Sequence, residues 1–399
     1  MADNNENKVL NVPHLRFPEF SGEWNKYTIN DLATVVGGGT PDTTVKSYWG
    51  GDIQWFTPSE IGKNKYVDFS KRTITRDGLD NSSAKLLPLH TILLSSRATV
   101  GECSIASNEC TTNQGFQSLI AKQCNIDFLY YLIQTKKKDL IRNACGSTFL
   151  EISANEIRKI KVAVPVQNEQ EQIAKLLSLI DERIATQNKI IEKLQSLIKR
   201  LVDELMTVLL KGKLYPFSSF YIKAGEGGTP TTSVVEYYTE GTIPFIKIED
   251  LSCKYLTNNK DFITELGMQK SSAWLIPSKS VIYSNGATIG AISINEYPVC
   301  TKQGILGIVP NTNINVEYLY LLMSSSYFSK EISRIITEGT MKTAYLKDIN
   351  HIKCPLPSMA QQKNITNLTS SIEEKLSIEQ ELLRFLNLQK QYLLHMIFI

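Results

Sequence analysis

The chain of 399 residues has no apolar run long enough to cross a bilayer. Its opening, Met-Ala-Asp-Asn-Asn-Glu-Asn-Lys, lacks the basic start and apolar stretch of a secretory signal, so a soluble, cytoplasmic protein away from membranes is expected. Seven cysteines are scattered with no Cys-x-x-Cys pair, an odd count that fits neither a zinc site nor a disulfide framework and points to buried small residues. The four histidines stand apart from any acidic or cysteine cluster and build no metal site. There is no Gly-Lys-Ser/Thr phosphate loop, no His-Glu-x-x-His, no Gly-x-Ser-x-Gly, no Asn-Pro-Pro-Tyr and no Gly-rich strand-to-helix loop for a nucleoside cofactor. Charge of one sign is also missing. The net charge is +3, with 16 Lys and Arg against 13 Asp and Glu over residues 27–165 and 12 against 12 over 217–357, so any nucleic-acid binding rests on local patches.

What is present is a duplication. Residues 74–115 recur without a gap 189 positions later: Ser95-Ser96-Arg97-Ala98-Thr99-Val100-Gly101 answers Ser284-Asn285-Gly286-Ala287-Thr288-Ile289-Gly290. Gly38-Gly39-Thr40-Pro41 answers Gly227-Gly228-Thr229-Pro230, and Thr112-Asn113-Gln114-Gly115 answers Thr301-Lys302-Gln303-Gly304. Two diverged copies of one domain imply two similar sites on one molecule. Within each copy, short runs such as Ile92-Leu93-Leu94-Ser95 and Val281-Ile282-Tyr283-Ser284 read as buried strands, and Phe128 to Lys138 and Tyr318 to Ser324 read as helices. The class is α+β with strands dominating.

Each copy is followed by a long helix with a heptad seam. The first runs Ile173, Leu177, Ile180, Ile184, Gln187, Ile191, Leu194, Ile198, Leu201, Leu205, Val208; the second runs Ile365, Thr369, Ile372, Leu376, Glu379, Leu383, Leu386, Lys390, Leu393, Ile397. Seams of nearly equal length predict that the helices pack on each other within the chain. Either direction is open locally, and symmetry favours antiparallel, with Gln187, Thr369, Glu379 and Lys390 fixing register. About 35 residues make a rod of roughly 50 Å. The expected organisation is an arm over 1–26, a first domain over 27–165, a first helix over 166–213, a second domain over 214–357 and a second helix over 358–399.

Binding residues are sought where the copies keep a polar loop. The Gly-Gly-Thr-Pro turns either bring backbone N–H groups and the hydroxyls of Thr40 and Thr229 close to a ligand or are tight turns that need none. The loops holding Ser95, Ser96, Arg97 and Thr99, and Ser284, Asn285 and Thr288, suit hydrogen bonds to phosphates and base edges, as do Asn113 and Gln114 beside Lys302 and Gln303. Lys63, Lys65, Lys71 and Arg72 in one copy, and Lys247, Lys254 and Lys260 in the other, are candidates for backbone phosphates. The swaps Arg97 to Gly286 and Asn113 to Lys302, on an otherwise constant scaffold, are what two different base sequences require.

This organisation resembles the specificity subunit of Type I restriction-modification systems. The resemblance rests on Pro13-His14-Leu15-Arg16-Phe17-Pro18-Glu19-Phe20 with Gly22-Glu23-Trp24, both Gly-Gly-Thr-Pro turns, the Ala-Thr-x-Gly loops at 98–101 and 287–290, and Gln114-Gly115 with Gln303-Gly304. Val164-Pro165-x4-Gln170 and Leu356-Pro357-x4-Gln362, each introducing a long helix, complete it. It implies two target recognition domains, each reading half of a bipartite asymmetric site in double-stranded DNA, with an antiparallel coiled coil, pseudo-two-fold symmetric, as the ruler for the spacer. It also implies assembly with two modification subunits and with restriction subunits. Those partners would use S-adenosylmethionine, ATP and Mg2+, this chain binding no cofactor and having no catalysis of its own. The rival reading is a stand-alone two-domain coiled-coil adaptor for protein or glycan; a methyltransferase is disfavoured by the missing cofactor and catalytic loops. The apolar end, Tyr392 to Ile399, is expected to pack near the N-terminal arm.

Overall fold

The computed structural model describes residues 11–146, 150–286, 288–336 and 342–399. The chain forms two compact units: one takes the residues up to Asn188 together with Leu382–Ile399, the other Lys189–Glu381. The division falls inside both long helices, Gln167–Leu209 and Met359–Ile397, so each unit owns one half of each helix.

In unit 1 a five-stranded sheet runs in the order Ala33–Gly37, Gln117–Ala121, Ile92–Leu94, Cys103–Ala106, Tyr66–Val67, antiparallel except for its last pair. A three-stranded sheet has Trp49–Phe56 between Arg72–Ile74 and Cys110–Thr112, the last pair being parallel. Unit 2 repeats both: Tyr221–Glu226, Ile305–Pro310, Val281–Ser284, Ile292–Asn295, Tyr255–Leu256, then Asp261–Ile263, Ile243–Ile246, Cys300–Thr301. Even the register is kept, Ile92 facing Ile105 as Val281 faces Ile294. The expected strands Ile92–Leu94 and Val281–Ser284 form the fully buried middle of each five-stranded sheet. Buried on both faces, such strands are apolar throughout rather than alternating.

One helix per unit carries the densest packing. In Ile126–Thr135, Phe128, Leu129, Tyr131, Leu132 and Ile133 are wholly buried; in Val316–Ser324, Tyr318, Leu319 and Leu322 are. Both start at an asparagine cap. Asn125 accepts from Phe128 N, and Asn315 accepts from Glu317 N and Tyr318 N, with Asp127 or Glu317 in the positive first turn. The stretch expected as one helix to Lys138 breaks at Lys136 and resumes as Lys137–Arg142.

Within each unit the two long helices run in opposite directions. In unit 1 Asp181 of the first pairs with Lys390 of the second at 2.7 Å, and Trp24 bridges the start of one to the end of the other. Its Nε1 donates to Glu169 and its ring meets Phe398 edge-on. In unit 2 Val202 and Met206, late in the first helix, share a core with Ile365, early in the second. The predicted seam residues are buried or half-buried along both helices, apart from Val208, which is 66% exposed. The buried face passes instead to Val202 and Met206. A helix with 3.6 residues per turn drifts off a 3.5-residue repeat, and the four-residue step from Ile198 to Val202 to Met206 follows that drift.

The arm packs on the chain's end as expected. Leu15 N donates to Met396 O at 2.9 Å, while Arg16 grips the fully buried Glu169 carboxylate with two bonds of 2.8 Å.

Candidate nucleic-acid interface

Each Gly-Gly-Thr-Pro turn lies against the Gln-Gly turn of its own unit. Thr40 Oγ1 donates to Gln114 Oε1, and Gln303 N donates to Thr229 Oγ1 at 3.4 Å. The glycines serve close packing. A Cβ at Gly38 would sit 2.0 Å from Asn113 O, and one at Gly39 2.3 Å from Ala84 N; Gly227 and Gly228 are as tightly held. Their N–H groups are already spent, Gly39 N on Thr112 O and Gly228 N on Thr301 O. This corrects the reading in which these N–H groups face a ligand; the threonine side chains remain at the surface edge, half-buried.

The loop after each central strand turns inward for half its length. Ser95, Ser96, Ser284 and Asn285 are buried, so in this structure they do not reach a duplex. Ser95 Oγ bonds Thr99 Oγ1 at 2.9 Å and Arg97 O at 3.1 Å, and Asn285 Nδ2 donates to Ala344 O at 3.1 Å. The covering segments cause this: Ile152 N donates to Ser96 O, and Ala344 N to Asn285 O, each at 2.9 Å. Arg97, Thr99 and Thr288 stay exposed, while Ala287 lies outside the described residues. Arg97 pairs loosely with Glu151, 3.7 Å away, both being about half exposed.

Asn113, Gln114, Lys302 and Gln303 stand on the Gln-Gly turns themselves. Asn113 Oδ1 accepts from Gly115 N at 2.9 Å, leaving its amide nitrogen as the group turned to other partners. Lys302 N donates to Ile246 O, which brings Lys247 next to this turn. Lys247 is held by Asp261 at 2.8 Å, and that hydrogen bond pushes its pKa up. The Asp261 position in unit 1 is Arg72, whose guanidinium stacks 3.6 Å above Trp49.

Lys65 and Lys254 are not free phosphate-binding cations. Lys65 Nζ bonds Asp127 Oδ1 and Ser178 Oγ, each at 2.7 Å, and Lys254 Nζ reaches Glu373 at 2.5 Å and Glu317 at 3.5 Å. Both side chains are largely buried, each tying a loop of its unit to the unit's short helix and to a long helix. Desolvated lysines of this kind need a carboxylate, and the two copies supply a matching one on the short helix, Asp127 for Lys65 and Glu317 for Lys254, while the long-helix partner is Ser178 in one unit and Glu373 in the other. That spacing was the available signal. Lys63 is exposed on the rim of the same groove, of about 870 Å³, together with Asp127, Tyr130, Asp181 and Lys390. The predicted residues therefore divide into a polar cluster at the turns (Thr40, Arg97, Asn113, Gln114; Thr229, Lys302, Gln303, with Lys247 beside them), the buried Ser95, Ser96, Ser284 and Asn285, and Lys63, Lys65 and Lys254 on the helix side.

Sequence reading also missed the role of the glutamine after each Val-Pro or Leu-Pro step. Gln170 Oε1 accepts from Asn125 N at 3.0 Å, and Gln362 Oε1 from Asn315 N at 2.8 Å. Their amide nitrogens donate to Pro165 O and Pro357 O. Each glutamine locks the first turn of a long helix to the cap of the unit's buried helix.

On the outer side of the long helices apolar residues are exposed: Leu179 and Leu197 on the first, and Ile378, Leu382, Phe385, Leu388 and Tyr392 on one face of the second. Among the described residues no group of three or more His, Cys, Asp or Glu could hold a metal ion, and no helix is long and apolar enough to cross a membrane.

The model of the Type I restriction modification DNA specificity domain matches residues 21–196 and again 220–387. The chain is 29% identical over 382 residues to the specificity subunit of the Type I restriction enzyme MjaIX of Methanocaldococcus jannaschii, covering 89% of this chain and 88% of that one. It is 29% identical over 175 residues to the EcoR124I/EcoR124II specificity subunit of Escherichia coli, 42% and 43% of the two chains. Among solved structures, the crystal structure of a Type I restriction-modification S subunit from M. genitalium shares the fold, with a TM-score of 0.55 at 19% identity over 97% of this chain and 99% of that one. A structure describing assembly and conformational transition of the Type I system aligns with a TM-score of 0.58 at 14% identity, over 93% and 96%.

Proposed function

Because the chain belongs to the Type I restriction modification DNA specificity family, we propose that it is the subunit that gives such a complex its address on DNA, each unit reading one half of a bipartite, asymmetric site. The observation that carries this reading is the repeated turn cluster. In each unit the threonine of one turn meets the glutamine of the other, through the Gln114 side chain in unit 1 and the Gln303 backbone in unit 2, and around this contact stand side chains that differ between the units. Short hydroxyl and amide groups beside a cation match phosphate oxygens and base edges.

The two long helices act as the ruler for the unread spacer. Their exposed apolar face, Ile378, Leu382, Phe385, Leu388 and Tyr392, suits burial against two modification subunits. The chain has no catalysis of its own in this reading. S-adenosylmethionine, and for restriction ATP and Mg2+, are bound by the modification and restriction subunits in the cytoplasm, and the target adenine is flipped into a modification subunit's pocket.

Sequencing methylated adenines in cells with and without the gene tests this. A bipartite motif that disappears with the gene is the expected result. An unchanged methylation pattern, with a purified chain that forms a soluble homodimer and ignores modification subunits, would make it a two-domain adaptor instead.

A further inference from the structure

The two turn clusters differ by an exchange of charge between matching positions. In unit 1 the cation is Arg97, on the loop after the central strand, and the carboxylate is Glu151, on the covering segment. In unit 2 those positions are Gly286 and Thr343, while the Gln-Gly turn carries Lys302 where unit 1 has Asn113, and Glu226 stands where unit 1 has Gly37. The exchange is structurally coupled. Asn113 caps Gly115 N in unit 1, a task Lys302 cannot perform, and in unit 2 Glu226 Oε1 accepts from Gly304 N at 2.7 Å instead. The two cation positions meet at one turn: Lys302 stands on it, and the Arg97 position lies against it, Arg97 Cβ being 3.8 Å from where a Cβ on Gly115 would be and Gly286 lying as closely against Gly304.

We propose that Arg97 and Lys302 are the specificity-determining cations of their respective units, Arg97 acting from the loop packed against the conserved Gln-Gly turn and Lys302 from that turn itself. This rests on the DNA-reading function proposed above. Arg97 presents a planar fork that fits the O6 and N7 acceptors of a guanine, whereas Lys302 presents a compact point charge from the turn. Its loose, half-exposed pairing with Glu151 costs Arg97 little to give up. The halves of the site then differ because the cation has changed loops, the turn being kept under a different cap, Asn113 in one unit and Glu226 in the other.

The test uses the full chain assembled with its modification subunits, and reads the methylated motif of the wild type and of Arg97→Gly, Arg97→Lys and Lys302→Asn. Arg97→Gly is expected to make one guanine position degenerate in one half only, with discrimination falling on the order of 10- to 100-fold. Arg97→Lys should fall between it and the wild type. Lys302→Asn should relax the other half only. Retained reading of the untouched half shows that each variant is folded and assembled. A wild-type motif that survives both Arg97→Gly and Lys302→Asn, or methylation that falls evenly across all sequences, overturns this inference alone. A wild-type complex that methylates without a motif overturns the proposed function with it.

Discussion

At the residue scale, burial separates lysines that composition treats alike. Lys65 has a carboxylate, a hydroxyl and the Tyr131 ring, 4.8 Å from its Nζ to the centroid, as partners. Lys65→Ala would leave Asp127 without its cation, and a loss of about 2 kcal/mol in chemical denaturation is expected. The slope of log binding constant against log salt for DNA should not change, whereas loss of a phosphate contact lowers it by about 0.9. Cysteines divide in the same way. Burial pushes the thiols of Cys103, Cys110 and Cys124 up to about 12 and that of Cys300 up to about 11, while Cys145 and Cys253 are exposed. A thiol reagent near pH 8 should label Cys145 and Cys253 in the native protein and the rest only after denaturation. Because the native state raises these values, the linked stability is complete below about pH 9 and is lost as pH rises toward about 12, which an alkaline unfolding curve would record.

At the element scale the repeated motifs act as joints. Gly-Gly-Thr-Pro was legible in the sequence as a pair of matched turns, but its purpose was not, since close backbone approach has no signature beyond glycine itself. Gly39→Ala drives a methyl against Ala84 N, and about 3 kcal/mol of destabilisation is expected. The staple of Arg16, Trp24 and Glu169 is similar. The motif containing Arg16 and Trp24 was visible, its buried acceptor 145 residues after Trp24 was not. Arg16→Ala leaves a buried carboxylate without its bidentate partner, so a loss of about 3 kcal/mol should appear in thermal or denaturant unfolding. Arg16→Ala combined with Glu169→Gln should recover part of it, a double-mutant coupling that an exposed pair would not show.

At the scale of the whole molecule, the proposed function makes the two long helices the elements whose length would bear on DNA. Each adds ~1.5 Å per residue, so inserting one heptad into both lengthens the rod by about 10 Å, close to the rise of three base pairs. Such a variant is expected to methylate the same half-sites around a spacer longer by about three base pairs, read from the methylated motif. An unchanged spacer would remove the ruler role and leave half-site reading intact.

Periodicity and duplication are local or translational patterns, and the chain alone determined what depends on them: two copies of an α+β unit, their central strands, two seam helices and the turns to inspect. Inward or outward orientation of a polar side chain depends on which distant segment covers it. Only the tertiary structure therefore decided that Ser96 and Asn285 lie beneath Ile152 and Ala344, that Lys65 and Lys254 are held by helix carboxylates, and that Val202 and Met206 succeed Val208 in the seam. The swaps of Arg97 for Gly286 and Asn113 for Lys302 were legible in the sequence, but that Glu151 faces Arg97 and that Glu226 takes over the cap of Gly304 N was not. Those residues are scattered along the sequence, and folding a rigid frame around one turn makes them alternatives.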